Sequence, residues 1–299
     1  MRSTSMKVVS MKIGSFGLLA AAGALLFSGA ASAATLRVSA IPDEAPTELI
    51  RKFKPLMEYL EKEVGVRVKF IPLVNYAATV EALAAGKIDL VWYGGFTHVQ
   101  ARIRTNGRAV PLVMRRRDLN FKTKFITAIN SGIRSLKDLR GKTFAFGSVS
   151  STSGHLMPRF FLKGAGIVPE KDFAKFSFSG SHDATVKWVE AGKVQAGAIN
   201  EAVWNKLVQS GKVNPKNVRV FFTTPGYVDY NWTARGDLSR ETLTRLAGAF
   251  LKLSAINPEH RKILALQRAE GYVLALPGDF KGIESAAREA GLLKKMPTQ

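Results

Sequence analysis

The sequence predicts an α/β fold of two lobes, each a doubly wound, mostly parallel sheet. Three observations carry that expectation. Short apolar runs alternate with amphipathic helical stretches from Leu36 to Trp92, and again from Thr143 to Thr223. In both halves a helix end runs into a strand through Ala-Gly-Lys, at Ala84-Ala-Gly-Lys-Ile-Asp-Leu90 and at Glu190-Ala-Gly-Lys-Val-Gln-Ala196, as two similarly wound lobes would do. Beyond Pro225 the helical pattern continues with no strands expected, so these late helices should pack back on the first lobe. The expected division is 1–33 leader, 34–127 first part of lobe 1, 128–229 lobe 2 and 230–299 return to lobe 1, with crossings near Ala128 and Tyr230.

Each element has a local reason. Leu36 to Ile41 reads as the first strand, and Leu49, Ile50, Phe53, Leu56, Met57, Leu60 and Val64 repeat at helical spacing, with a kink or break expected at Pro55. Val66 to Ile71 is the second strand, Tyr76 to Ala85 a helix closed by Gly86, and Ile88 to Trp92 the third strand. Thr97 with Gln100 has the spacing of a capping box, which places a helix start beside Tyr93 and two glycines. Ala109 to Met114 and Phe121 to Ala128 read as further strands. In the second half Phe173 to Phe178, Val194 to Ile199 and Val218 to Thr223 are strands. Helices follow Ser179-Gly-Ser-His-Asp183, span Ala202 to Val208, and return after Ser239, from Pro258 and from Ile283.

Residues 1–33 differ from the rest. Arg2, Lys7 and Lys12 precede an apolar run from Ile13 to Phe27 and then a small-residue Ala-x-Ala site ending at Ala33, the pattern of a secretory leader. The alternative, a membrane anchor, fits poorly with a segment so short and so rich in Gly and Ala. The mature chain should therefore begin near Ala34 and be exported. With no cysteine, neither disulfides nor thiolate chemistry are available. Removing the three leader cations leaves a net charge of about +18, which favours anionic partners. Export and the dispersal of the cations argue against nucleic acid, and Arg115-Arg116-Arg117 followed by Asp118 reads as a solvated face.

The stretch that carries chemistry is Gly141 to Pro158. A strand from Thr143 to Phe146 runs into Gly147 and a serine/threonine cluster at Ser148 to Ser153 that opens a helix, with Pro158 expected to delay or bend it. A helix start offers unpaired backbone N–H groups and the positive end of the macrodipole, while the hydroxyls add donors and the glycines allow close approach. The same residues could also be plain N-caps.

Together with Tyr76-Ala-Ala-Thr-Val-Glu-Ala-Leu, Gly86-Lys-Ile-Asp-Leu-Val-Trp-Tyr-Gly-Gly and Gly180-Ser-His-Asp-Ala, the stretch Phe146-Gly-Ser-Val-Ser-Ser-Thr-Ser-Gly resembles the phosphate/phosphite/phosphonate-binding family of periplasmic solute-binding proteins. The resemblance spans about Leu36 to Leu293. It implies a two-lobed, type II binding-protein architecture with a ligand cleft at the hinge, delivery to the permease of an ABC importer, and a monomer without cofactor or metal. It also implies a pocket of Ser151, Thr152 and Ser153 on lobe 2, His182 at a second helix start, Tyr93 after the third strand and Asp229 before the return crossing. A second aromatic that the family often carries in its first loop is not evident in Pro42 to Thr47, which leaves Glu44 and Ala45 unexplained. Whole-chain similarity is closest to a branch labelled as selenate-binding. Asp229 bears on that choice, because an ionised carboxylate accepts hydrogen bonds and favours an oxyanion that retains a proton over selenate or sulfate.

Each assignment has a plainer counterpart. His182 could be an ordinary first-turn residue, Tyr93 a core aromatic and Asp229 a turn cap after Pro225-Gly226; His98 and His155 read as surface or supporting residues. A Ser151, His182, Asp229 triad is the enzymatic alternative, but there is no Gly-x-Ser-x-Gly elbow and tandem serines suit collective hydrogen bonding better. A cationic protein held on an acidic surface is the third class. It predicts steep salt dependence and no stoichiometric ligand.

Overall fold

The computed structural model describes residues 1–7 and 35–293; beyond Lys7 the expected leader and its cleavage site lie outside the described residues. The first strand β1 (Thr35–Ala40) leads into α1 (Pro46–Val64), β2 (Arg67–Phe70), α2 (Tyr76–Ala84), β3 (Leu90–Tyr93), α3 (Gly95–Arg104) and β4 (Ala109–Arg115). The chain then crosses through a 3-10 turn at Arg116–Asn120 to β5 (Thr123–Ala128), β6 (Thr143–Phe146), a π turn at Thr152–Leu156, α4 (Met157–Gly164) and α5 (Pro169–Asp172). There follow β7 (Lys175–Phe178), α6 (His182–Glu190), β8 (Ala196–Asn200), α7 (Glu201–Gln209) and β9 (Val218–Thr223). It returns through β10 (Asn231–Arg235), α8 (Arg240–Lys252), α9 (Pro258–Gln267), β11 (Tyr272–Leu274) and α10 (Lys281–Glu289). Among the described residues no helix is long and apolar enough to cross a membrane.

Two sheets organise these elements, one in the order β11-β4-β10-β3-β1-β2 and the other β7-β6-β8-β5-β9. In the first, β1 to β4 share one direction while β10 and β11 oppose them; in the second only β5 runs against the rest. This is the expected two-lobed fold, with mixed sheets whose strands mostly share a direction. The first strand after each crossing, β5 in one sheet and β10 in the other, runs antiparallel to its neighbours.

Several expectations change in detail. The strand ending at Ala128 already pairs in the second sheet, so the outward crossing falls between Arg115 and Thr123 rather than at Ala128. The return half does contain strands: β10 is inserted between β3 and β4, with Trp232 opposite Trp92, and β11 closes the sheet edge. Both are short, and β10 sits between two longer elements that dominate the periodicity around it. Pro55 does not divide α1, because its buried stripe of Leu49, Phe53, Leu56, Met57, Leu60 and Val64 holds the helix on the sheet. Burying each such side chain contributes about 1.5–3 kcal/mol, against about 3 kcal/mol for an interior proline. Gly94, not Thr97, caps α3, and the Thr97 hydroxyl donates instead to the Ser150 carbonyl of the other lobe (2.9 Å). As Pro158 implied, the regular helix begins late, at Met157, after one π turn.

Each lobe has its own core. Phe53, Trp92, Trp232 and Phe250 centre the first, and Phe125, Phe144 and Phe146 on one face of the second sheet, with Val186, Val189 and Val203 on the other, form the second. A further cluster joins Phe96, Phe280 and Ile283 of the first lobe to Leu156 and Met157 of the second. The lobes therefore meet through apolar surface on one side of the cleft.

Candidate functional site

The two lobes present matched helix starts to each other. Tyr76 begins α2 and His182 begins α6, each ten residues before the glycine of its Ala-Gly-Lys turn. Those glycines, Gly86 and Gly192, adopt φ of 67° and 68°, the left-handed conformation that closes a helix. Asn75 caps α2 by accepting from Ala78 N, and Ser181 caps α6 by accepting from Ala184 N. The repeated turn thus marks a repeated unit. Its first helical side chain is buried at equivalent places in the two halves, as Tyr76 in one and His182 in the other.

The serine turn supplies a third helix start. Ser151 Oγ accepts from Gly154 N (3.0 Å) and its carbonyl accepts from Leu156 N (3.0 Å), a five-residue spacing that widens the turn. Ser151, Thr152 and Ser153 are all buried. A Cβ on Gly154 would lie 3.0 Å from Ser151 Oγ and 3.2 Å from His182 Cε1, so the missing side chain is what lets His182 lie against the turn. Thr152 has a more specific task than the sequence implied. Its Oγ1 accepts from Phe96 N at the start of α3 (3.0 Å), which binds one lobe to the other. Ser153 is held from behind, its carbonyl accepting from Thr123 Oγ1 (2.9 Å), which also meets the Tyr227 hydroxyl (2.5 Å).

Asp229 lies in the return crossing, where its N–H donates to the Asp118 carbonyl (3.0 Å) and Tyr227 exchanges two backbone bonds with Phe121. One carboxylate oxygen accepts from Gly95 N (2.9 Å), while the other has no hydrogen-bond partner among the described residues. The residue is 1% exposed. Burial pushes its carboxyl up to about 7, opposed by the Gly95 N–H and the Thr152 hydroxyl. A Cβ on Gly94 would sit 2.8 Å from Thr152 Oγ1 and 3.2 Å from Asp229 Oδ1, so α3, Thr152 and Asp229 converge on one point that admits only glycine.

His182 faces the same region. Asn200 N donates to its Nδ1 at a long 3.4 Å, which leaves the ring proton on Nε2, and Nε2 has no partner among the described residues. Burial lowers its basicity, with Asp43 and Glu44 opposing, so the ring is a neutral donor at physiological pH. Tyr76 completes the ring of groups. Burial raises its phenol well above the usual value, the Asp43 charge adds to this, Ser151 opposes it and Asp229 contributes. Tyr76 is buried at the start of α2, in the core cluster of the first lobe.

Of the residues singled out from the sequence, Ser151, Thr152, Ser153, His182 and Asp229 are brought together. Tyr93 is buried at the end of β3, but its hydroxyl donates to the Thr79 carbonyl of α2 (2.7 Å), a bond that anchors one helix to the sheet. Tyr76 and Asp43 were missed. Tyr76 stood in a quoted motif, and its match with His182 across the repeat is the signal that would have found it. Asp43, one residue before Glu44 in the first loop, gave no periodic signal. Glu44 is explained without a ligand: it pairs with Lys52 (3.6 Å), Lys206 (2.8 Å) and Arg268. His98 is neutral and buried, its Nδ1 beside Thr233 Oγ1 (2.8 Å), and His155 is held by the Val149 carbonyl (2.7 Å), so both are structural. Among the described residues no cluster of His, Asp and Glu could hold a metal ion.

Helix starts, hydroxyls and two carboxylates that each have one oxygen unpartnered among the described residues, Asp43 and Asp229, make up this region. The model of the family described as "ABC transporter, phosphonate, periplasmic substrate-binding protein" matches residues 38–280. The chain belongs to this family. Its members are substrate-binding components of ABC transporters and not enzymes. The chain is similar to a probable ABC transporter phosphite binding protein, PhnD1, of Prochlorococcus marinus (strain MIT 9301), at 37% identity over 87% of this chain and 91% of that protein. It is also similar to the phosphate-import protein PhnD of Mycolicibacterium smegmatis, at 26% identity over 86% of each chain. Among solved structures, PhnD1 of Prochlorococcus marinus in complex with methylphosphonate superposes with a TM-score of 0.83 at 36% identity, covering 87% of this chain and 99% of that one.

Proposed function

We propose that this protein captures a phosphorus oxyanion of the phosphite, phosphonate or phosphate type between its lobes and presents the closed form to the permease of its transporter. The observation that carries this is Asp229, a buried carboxylate with one oxygen unpartnered among the described residues and set against groups that can donate. An oxyanion that keeps a proton can donate to that oxygen while its other oxygens accept from His182 Nε2, the Tyr76 phenol, the Ser151 and Ser153 hydroxyls and the helix starts. Selenate and sulfate are fully ionised at neutral pH and have nothing to donate. One relative, PhnD1 of Prochlorococcus marinus, described as a probable phosphite binding protein and solved in complex with methylphosphonate, supports the same class. The net positive charge would speed capture, and hinge motion at the two crossings would close the cleft.

The test is the change in Tm with phosphite, methylphosphonate, phosphate, selenate and sulfate at fixed ionic strength. A specific ligand raises Tm with the logarithm of its concentration. A selective rise with a phosphorus oxyanion supports the reading, a rise with selenate alone replaces it with the selenate alternative, and five equal rises reduce it to screening. The leader reading is tested separately. The exported protein should be monomeric and begin at Ala34 by mass spectrometry.

A further inference from the structure

We propose that Asp43 is a second reader of the ligand, accepting a hydrogen bond from a protonated ligand oxygen and so rejecting fully ionised tetrahedral anions; this rests on the oxyanion reading above. Asp43 follows the C-terminal end of β1 and is 1% exposed. Its position is fixed from both lobes. The Tyr230 hydroxyl donates to Oδ2 (3.0 Å) and itself accepts from Asn200 Nδ2 (2.7 Å), while Asn200 Oδ1 caps α7 through Val203 N (3.0 Å). The Asp43 carbonyl accepts from His182 N (3.0 Å), so the residue joins the loop of one lobe to the helix start of the other.

After these bonds Asp43 Oδ1 has no partner among the described residues. A buried carboxylate oxygen without a donor is costly, and a structure that clamps the rest of the residue this firmly leaves that oxygen for something that closure brings in. Lys52 supplies counter-charge to Asp43, but its ion pair is with Glu44 (3.6 Å) and the buried Arg115 pairs with Asp118 (2.6 Å), so neither donates a hydrogen bond to Oδ1. The ionisable groups that feel Asp43 are Lys52 on α1, Tyr76 on α2, His182 on α6 and Tyr230 on the return crossing. Tyr76 and His182 are two of the groups that line the cleft. Asp43 on the first loop and Asp229 on the return crossing therefore address one ligand with two acceptors, from two different segments of the chain.

Asp43→Asn separates this from a packing role. The Asn carbonyl can still accept from Tyr230, which turns its NH2 toward the ligand and puts a donor where there was an acceptor. By calorimetric titration at neutral pH, phosphite should bind about 10-fold more weakly or worse, and sulfate about 10-fold more tightly. A gain for sulfate cannot come from damage. Tyr230→Phe should weaken phosphite and leave the preference over sulfate, because the charge remains. A cooperatively folded Asp43→Asn that keeps the phosphite-to-sulfate ratio of the parent overturns the proposal and leaves the oxyanion function standing; a parent protein that binds neither phosphite nor methylphosphonate overturns both. Should the variant not fold, a crystal structure of the parent with phosphite decides. A ligand oxygen about 2.5–2.9 Å from Asp43 Oδ1 supports the proposal, and a ligand out of hydrogen-bond reach of that atom refutes it.

Discussion

Replacing Asp229 with Asn should make the ligand-free protein more stable and a poorer binder. Burial lifts the Asp229 carboxyl from 3.8 to about 7, so the native state holds a proton that the unfolded chain releases about three pH units lower. Each unit is worth about 1.4 kcal/mol, which amounts to about 4 kcal/mol against the native state once the pH exceeds 7. Stability is intact below pH 3.8 and is lost as the pH rises through about 7. Asn carries no such penalty, and its carbonyl can keep the bond from Gly95 N. Urea unfolding of the two ligand-free proteins should therefore show little difference near pH 4 and a gain for Asn of up to about 4 kcal/mol near pH 8. The same substitution should weaken phosphite about 10-fold or more, since an amide NH2 cannot accept from the ligand. A stability difference that is the same at both pH values, or a loss near pH 8, would refute the reasoning.

Three further outcomes follow from the geometry. Tyr93→Phe removes only the bond to the Thr79 carbonyl, so it should cost about 1 kcal/mol of stability and leave phosphite affinity unchanged, whereas Tyr76→Phe should weaken phosphite about 10-fold; urea unfolding and calorimetry report the two quantities. Gly94→Ala places a methyl group 2.8 Å from Thr152 Oγ1 and 3.2 Å from Asp229 Oδ1, so small-angle scattering should show no compaction with phosphite, and compaction equal to the parent's would contradict the approach described. Burial depresses His98 to about 3 and His155 to about 4, so the stability they contribute is present above pH 6.5 and is lost as the pH falls through those values. In the Asp229→Asn background, where the opposing carboxyl is absent, ligand-free Tm should fall between about pH 6.5 and pH 4, and a flat profile there would mean that these rings are not buried and neutral.

How far the sequence reached can be traced residue by residue. The three-to-four spacing from Leu49 to Val64 identified α1 because one buried face imposes its period on the chain. The same logic failed for β10, whose burial comes from insertion between β3 and β4, partners more than a hundred residues away. The Ser-Thr-Ser turn was legible because a helix start that presents hydroxyls is a local feature. That the Thr152 hydroxyl oxygen meets Phe96 N, and that Tyr93 is turned onto Thr79, are consequences of which helix lies opposite.

The sequence alone determined the two-lobed alternation of strand and helix and the serine turn, which depend on local periodicity and capping, while its resemblance to the periplasmic binding-protein family pointed to His182 and Asp229. Tertiary structure alone decided where the chain crosses, that the Tyr93 hydroxyl is spent on the Thr79 carbonyl, and that Asp43 and Asp229 each keep one oxygen without a partner among the described residues. Whether a buried polar atom is satisfied depends on partners contributed by the other lobe, and no window of sequence contains both sides of that contact.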